Sequence, residues 1–283
     1  MKERRLTFAA ISSYGDSLRR EERAAATVDK YLRDVRAFAL WLDGRPVTKE
    51  IAAVWKGVLT ERGYTSATVN AKLSALNGLF RSLGWEECRV KFLKVQRRVF
   101  REASRELTRG EYGRLMETAR CQGPGWLAMA METLCGLGLR VSELGYITVE
   151  AARAGRAEVT LKGKIRTVVL PGKLARKLLR YAKKQKIASG AVFRTGDGAP
   201  LSRFRIWRAM KSLCAAAGVA PTKVFPHNLR HLFARTYYTL EKDLSRLADI
   251  LGHSSVNTTR IYTMESGTVH ARQLNRMNLI LTT

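Results

Sequence analysis

Cysteine, histidine, acidic side chains and long apolar runs are all scarce in this sequence. Of its 283 residues only four are cysteines, Cys88, Cys121, Cys135 and Cys214. They are widely spaced, with no CxxC pair, which argues against a disulfide framework or a thiolate metal site. Free, mostly buried thiols in a reducing cytoplasm fit that spacing. No stretch approaches the roughly 20 apolar residues needed to span a bilayer. The opening segment Met1–Ala10 is charged and too short in apolar run for a secretory leader. Acidic residues number 24 against 51 Lys and Arg, a formal net charge of +27.

A surface that positive repels itself until a polyanion neutralises it, and nucleic acid is the usual polyanion. A membrane surface would call for a basic amphipathic anchor or a lipidation signal, and the chain shows neither. The excess is not confined to a tail. Residues 1–105 carry a net +10 and the remainder +17, so both halves are expected to touch the polyanion. The length predicts two domains.

Residues 1–86 read as a small helical bundle. Val28, Tyr31, Leu32, Val35, Phe38 and Leu42 repeat at helical spacing and stop before Gly44. A second stripe, Ile51, Val54, Trp55, Val58 and Leu59, follows Thr48. A third, Leu73, Leu76, Leu79, Phe80 and Leu83, follows Ser66. A weaker helix is expected over Phe8–Arg20. Residues 87–106 hold Lys91, Lys94, Arg97, Arg98 and Arg101 without a sustained stripe. They read as a basic interdomain linker lying on phosphates, or as a solvated charge run. Residues 107–283 form the second domain. Thr108 and Glu111 stand in capping-box spacing, and an apolar helix over Trp126–Leu134 breaks at Gly136 and Gly138. Three β-like runs follow: Tyr146–Val149, Glu158–Leu161 and Thr167–Leu170. The turn Lys162-Gly163-Lys164 joins the last two as a hairpin. Helices are expected again at Leu174–Ile187, Phe204–Ala217, Asn228–Leu240 and Leu244–Leu251. The fold class is mainly α with a small antiparallel β-sheet.

With only four histidines in the chain, their placement carries weight. His227 and Arg230 stand at i and i+3 on a helix start and project from one face. His253 follows Leu251-Gly252, a helix stop, and so sits on a turn. Arg140 follows a glycine-rich break at the head of a new short helix, a setting suited to anions. His231 is expected to point elsewhere on its helix, as packing. A metal site is not expected.

Four segments in order, GLGLRVSEL around Arg140, LKGKIRTVVLP around Lys162, HNLRHLFA around His227 and LGHSSVNTTRIYT through Tyr262, resemble the tyrosine recombinase, or phage integrase, family. They span about the last 145 residues, and the helical first half resembles the family's core-binding domain in organisation. The resemblance implies that Arg140 and Arg230 clamp the scissile phosphate. Tyr262 is then the nucleophile that leaves a 3′-phosphotyrosine, and His227 the general base. His253 donates a hydrogen bond to the phosphate, and Glu143 buttresses the arginines. Lys162 protonates the leaving 5′-oxygen. The hairpin is one residue shorter than the family pattern, so Lys164 stays open as the alternative. Arg260 either touches backbone phosphate or is an exposed helix residue.

The resemblance further implies a C-shaped clamp on double-stranded DNA, with no cofactor. It implies a homotetramer on DNA, monomeric when free, that passes through a Holliday junction, with directionality or accessory proteins as further partners. The expected location is the cytoplasm, at the nucleoid. Thr263–Thr283, with Val269, Leu274, Met277 and Ile280 at helical spacing, would dock on a neighbouring protomer or on its own domain. The chain is of minimal, Xer-like size, and its charge leans toward integration and excision of a mobile element. Xer-type dimer resolution, a non-catalytic DNA-binding regulator and a type IB topoisomerase are the alternatives.

Overall fold

The computed structural model describes residues 4–95, 103–161, 164–253, 255–262, 271–272 and 275–277. It divides into two compact units, Met1–Arg97 and Arg98–Thr283, each with its own hydrophobic core.

The first unit is four helices: α1 (Phe8–Arg20), α2 (Ala25–Leu42), α3 (Lys49–Glu61) and α4 (Ser66–Ser82). Thr7, Thr48 and Thr65 begin three of them, each hydroxyl accepting the amide of the residue three positions on. Such caps satisfy amides that the first helical turn leaves unpaired. Phe38 and Phe80 meet edge to face with ring centres 6.2 Å apart, and Trp55 lies 5.9 Å from Phe38. The α3 stripe differs from its expectation, since Val54 is 56% exposed while Ala52, Trp55 and Leu59 are buried. The buried face runs through Ala52, Trp55 and Leu59, at i, i+3 and i+7, and Val54 lies about 100° round the helix from Trp55. Past α4 the chain doubles back along it. The Asn77 side chain pairs with both the amide and the carbonyl of Val90, at 3.0 and 2.9 Å, and Asn70 does the same for Leu93. Two amide side chains thus stand in for a strand partner.

The second unit opens on α5 (Arg109–Cys121), where Thr108 and Glu111 form a complete capping box. Then come α6 (Leu127–Leu137), a 3-10 turn over Val141–Tyr146, and α7 (Val149–Ala154). Strands β1 (Arg156–Leu161) and β2 (Lys164–Val169) pair antiparallel, with Arg156 opposite Val169 and Leu161 opposite Lys164. Ala157, Val159 and Val168 face the core, while Ile165 and Val169 face solvent. After them lie α8 (Gly172–Lys184), α9 (Arg203–Ser212), α10 (Cys214–Ala217), α11 (Pro226–Glu241), α12 (Leu244–Leu251) and the single turn α13 (Val256–Thr259).

Two expectations fail here. Tyr146–Val149 is not a strand: the Thr148 hydroxyl caps α7, and only Thr148 makes a bridge, to Ala191. The helix expected over Phe204–Ala217 is two pieces that part at Leu213. The docking of Thr263–Thr283 falls almost wholly outside the described residues. Among the described residues no helix is long and apolar enough to cross a membrane.

Candidate active site

Two chain breaks build the floor of the site. Helix α6 stops at Gly138, whose φ of +60° favours glycine and whose missing Cβ leaves room for the Phe233 ring. The chain then turns so that Arg140 becomes the residue that starts the 3-10 turn. Helix α12 stops at Gly252, with φ of +64°, and delivers His253 on the next residue.

Glu143 stands at the centre, 0% exposed. It accepts the Arg140 amide at 2.8 Å and Arg140 Nη1 at 2.8 Å. Arg166 Nη2 donates to it at 2.6 Å, and Arg230 Nη1 lies 3.9 Å away. Burial alone would raise the Glu143 pKa, but the Arg140 amide and the Arg166 charge outweigh it, and the carboxyl is held below the usual range. One carboxylate therefore gathers three guanidiniums, which leaves the cleft with surplus positive charge. An anion is the ligand that balances it.

Arg230, 1% exposed, is the fifth residue of α11. Its Nη1 donates to the Gly138 carbonyl at 2.8 Å, and its Nη2 to the Leu251 carbonyl at 2.7 Å. The two glycine-terminated helices thus aim this guanidinium with their last carbonyls. Burial, then the charge of Arg140, brings its pKa to about 10, so it stays a cation near neutrality. Nη2 also lies 2.9 Å from His253 Nε2, and His253 Nδ1 lies 2.8 Å from Thr259 Oγ1.

The imidazoles are held neutral. His253 is lowered to about 4 by burial and by the nearby arginines, Arg230 first among them. His227 is lowered by burial and then by Arg230 and Arg140. His231 is lowered to about 4 by burial, then by His227. Tyr262 is 6% exposed. Its ring meets His231 edge-on at 5.0 Å and lies nearly parallel to His253 at 6.2 Å. Ala234, Leu247 and Leu251 pack around it.

The structure thus brings Arg140, Glu143, His227, Arg230, His253 and Tyr262 into one neighbourhood. Lys162 lies outside the described residues, and Lys164 is placed only as the first residue of β2. Lys91 and Lys94 are exposed on the first unit, and Arg260 is exposed beside Tyr262. Arg97, Arg98 and Arg101 lie outside the described residues. Among the described residues no trio of His, Cys, Asp or Glu is grouped to hold a metal.

Sequence reasoning missed two members. Arg166 donates to Glu143 and, through Nη1, to the Ile250 carbonyl, so it ties β2 to the end of α12. The available signal was alternation: Arg166 shares a strand face with Val168 and stands opposite Val159, both buried. His231 does not point away. It is four residues past His227, one turn along the same face, with ring centres 4.5 Å apart.

Guanidiniums gathered on a buried carboxylate, with imidazoles and a phenol against them, mark a protein with a cleft for an anion. Comparison with known proteins gives the family. Residues 105–267 match the phage integrase family, and residues 11–87 match the phage integrase N-terminal SAM-like domain. The tyrosine recombinase XerD of Xanthomonas campestris pv. campestris is 32% identical over 93% of this chain and 91% of its own. The tyrosine recombinase XerA of Pyrococcus furiosus is 27% identical over 99% and 98%. A lambda integrase tetramer bound to a Holliday junction shares the fold, with a TM-score of 0.74 at 20% identity over 92% of this chain and 78% of that one. The chain belongs to the phage integrase family of tyrosine recombinases. It is a site-specific recombinase, an enzyme that cleaves and rejoins DNA.

Proposed function

We propose that this recombinase cuts double-stranded DNA through a covalent 3′-phosphotyrosine at Tyr262. Arg140 and Arg230 hold the non-bridging oxygens of the scissile phosphate, where charge grows in the transition state. The Tyr262 oxygen forms a bond to phosphorus as the bond from phosphorus to the 5′-oxygen breaks. The phenol proton passes to His227, which is neutral and able to accept it. A hairpin lysine, Lys162 with Lys164 as the alternative, supplies a proton to the 5′-oxygen. A 5′-hydroxyl from another strand then attacks the phosphotyrosine and frees Tyr262. The bond energy is conserved in the intermediate, so rejoining uses no ATP. Glu143 holds the guanidiniums in place. Once the phosphate anion is present, His253 Nε2 gives up its bond from Arg230, takes a proton from solvent and donates to the phosphate. The convergence of Arg140 and Arg230 on Glu143 beside a buried phenol carries this reading.

Residues 1–86 act as the core-binding domain, residues 87–106 as a linker on phosphates and residues 107–283 as the catalytic domain. Lys91, Lys94, Arg97, Arg98, Arg101 and Arg260 take backbone phosphates. Four copies assemble on two sites, as the lambda integrase tetramer does on its junction, in the cytoplasm at the nucleoid. The biological role is integration and excision of a mobile element, with directionality or accessory proteins as further partners. The end-to-end match to XerA and XerD favours a second role, resolution of chromosome or plasmid dimers.

Covalent capture on a random-sequence library of nicked duplexes tests the chemistry. Wild type should trap DNA on Tyr262, and Tyr262→Phe should bind it without trapping. Failure of wild type to trap any sequence would favour the non-catalytic regulator. Relaxation of arbitrary supercoiled DNA without strand exchange would favour a topoisomerase. Recovered sites that flank the gene itself would support the mobile-element role, and sites at a dimer-resolution locus the other.

A further inference from the structure

Thr259 is 0% exposed, yet its hydroxyl has a partner, since Oγ1 lies 2.8 Å from His253 Nδ1. The direction of that bond follows from the other side of the ring. His253 Nε2 lies 2.9 Å from Arg230 Nη2. A guanidinium nitrogen only donates, so Nε2 must accept. A neutral imidazole that accepts at Nε2 carries its proton on Nδ1. The Nδ1–H therefore donates to Thr259 Oγ1. The opposite tautomer would set Nε2–H against a guanidinium N–H at 2.9 Å, donor to donor. An imidazolium would do the same, and would add a cation beside Arg230.

Thr259 is also the last residue of α13, and the 3-10 turn Arg260–Tyr262 begins at the next residue. The hydroxyl that receives the His253 proton is thus three residues from the phenol. Tyr262 itself is packed against Leu247, Leu251 and the His253 ring.

We infer that Thr259 is a positioning residue of the recombination reaction, which keeps the His253 proton on Nδ1 so that, until the phosphate binds, the Nε2 lone pair orients Arg230. The inference rests on the phosphotyrosine reading and extends it. Because Thr259 and Tyr262 share one short segment, seating the phenol and locking the imidazole are one event. A chain whose Tyr262 segment is displaced loses the acceptor at Nδ1. The ring can then turn or change tautomer, and Arg230 loses one of the three groups that aim it. The phosphate clamp is in this way complete only when the nucleophile is in place.

The full-length chain labelled with 15N-histidine tests the tautomer directly. His253 is identified by the signal lost in His253→Gln. Wild type should show a protonated Nδ1 and an unprotonated Nε2 at neutral pH. Thr259→Ser should keep that signature, and the near-isosteric Thr259→Val should replace it with averaged tautomers. On a nicked duplex recovered by covalent capture, single-turnover adduct formation should fall about tenfold in Thr259→Val, the effect of one buried hydrogen bond. Thr259→Ser should restore it, with DNA binding unchanged in both.

A protonated Nε2 in wild type, or a serine variant that behaves like the valine one, overturns the inference. So does an adduct rate that Thr259→Val leaves unaltered while wild type traps DNA normally. No adduct from wild type would instead defeat the phosphotyrosine reading and the positioning role with it. The wild-type spectrum decides the tautomer even if Thr259→Val fails to fold.

Discussion

Glu143 is the residue on which the site's electrostatics turn. Like charges repel most where water is scarce, and the buried Arg230 shares its neighbourhood with the partly exposed Arg140 and Arg166 because a buried carboxylate sits among them. Glu143→Gln keeps the shape and removes the charge. Leaving buried cations without their partner should cost on the order of 3–5 kcal/mol, read as a lower urea midpoint, and should slow adduct formation. The imidazoles give a second expectation. His231 and His253 are lowered to about 4 in the folded chain, against an ordinary value of about 6.5. Between those values the unfolded chain binds protons that the folded chain does not, so stability rises with pH across that window. Thermal midpoints should therefore fall by several degrees as pH drops from neutrality toward 4. A midpoint flat from pH 7 to pH 5 would contradict it. Glu143, held below the usual range, adds loss in the same direction at lower pH still.

At the scale of elements, the site is assembled from helix ends. Gly138 and Gly252 close α6 and α12 in the left-handed region. The carbonyls of Gly138 and Leu251 then aim Arg230. A Cβ at Gly252 would lie 2.6 Å from Arg166 Cδ. Gly252→Ala should lose about 1–2 kcal/mol from backbone strain alone, and should also impair DNA cleavage by displacing Arg166. Gly155 is the control. Its φ is +68° with nothing within 4 Å of a Cβ, so Gly155→Ala should show a similar stability loss with cleavage retained. Denaturant melts and adduct assays on the two variants separate strain from displacement.

For the whole molecule the dominant quantity is the net charge of +27, positive in both halves. Phosphate contacts release counterions, and affinity then falls steeply with salt. A chain that covers six to ten phosphates should lose about 10³- to 10⁵-fold in affinity between roughly 50 and 200 mM salt. Fluorescence anisotropy on a labelled duplex measures it. A shallow slope would mean that few of the basic residues reach the backbone.

Local patterns are written in the chain itself. Thr48, Thr65 and Thr108 stand before helices because a short hydroxyl side chain satisfies amides that nothing else reaches. Apolar spacing places α2, α4 and α12 because burial depends on which face a residue lands on. Where a local pattern was ambiguous the outcome went to tertiary contacts. Tyr146–Val149 has strand-like residues, but the Thr148 hydroxyl caps α7, and on α3 Ala52 faces inward while Val54 faces solvent. Motif order singled out Arg140, His227, Arg230, His253 and Tyr262 as candidates for the site. Their grouping, and the contacts that Arg166, His231 and Thr259 make there, were not legible. A guanidinium on a strand and a hydroxyl on a one-turn helix carry no mark of their partners in sequence. Only the folded chain, which brings residues more than a hundred positions apart within hydrogen-bonding reach, decides which charge meets which carboxylate and which nitrogen keeps its proton.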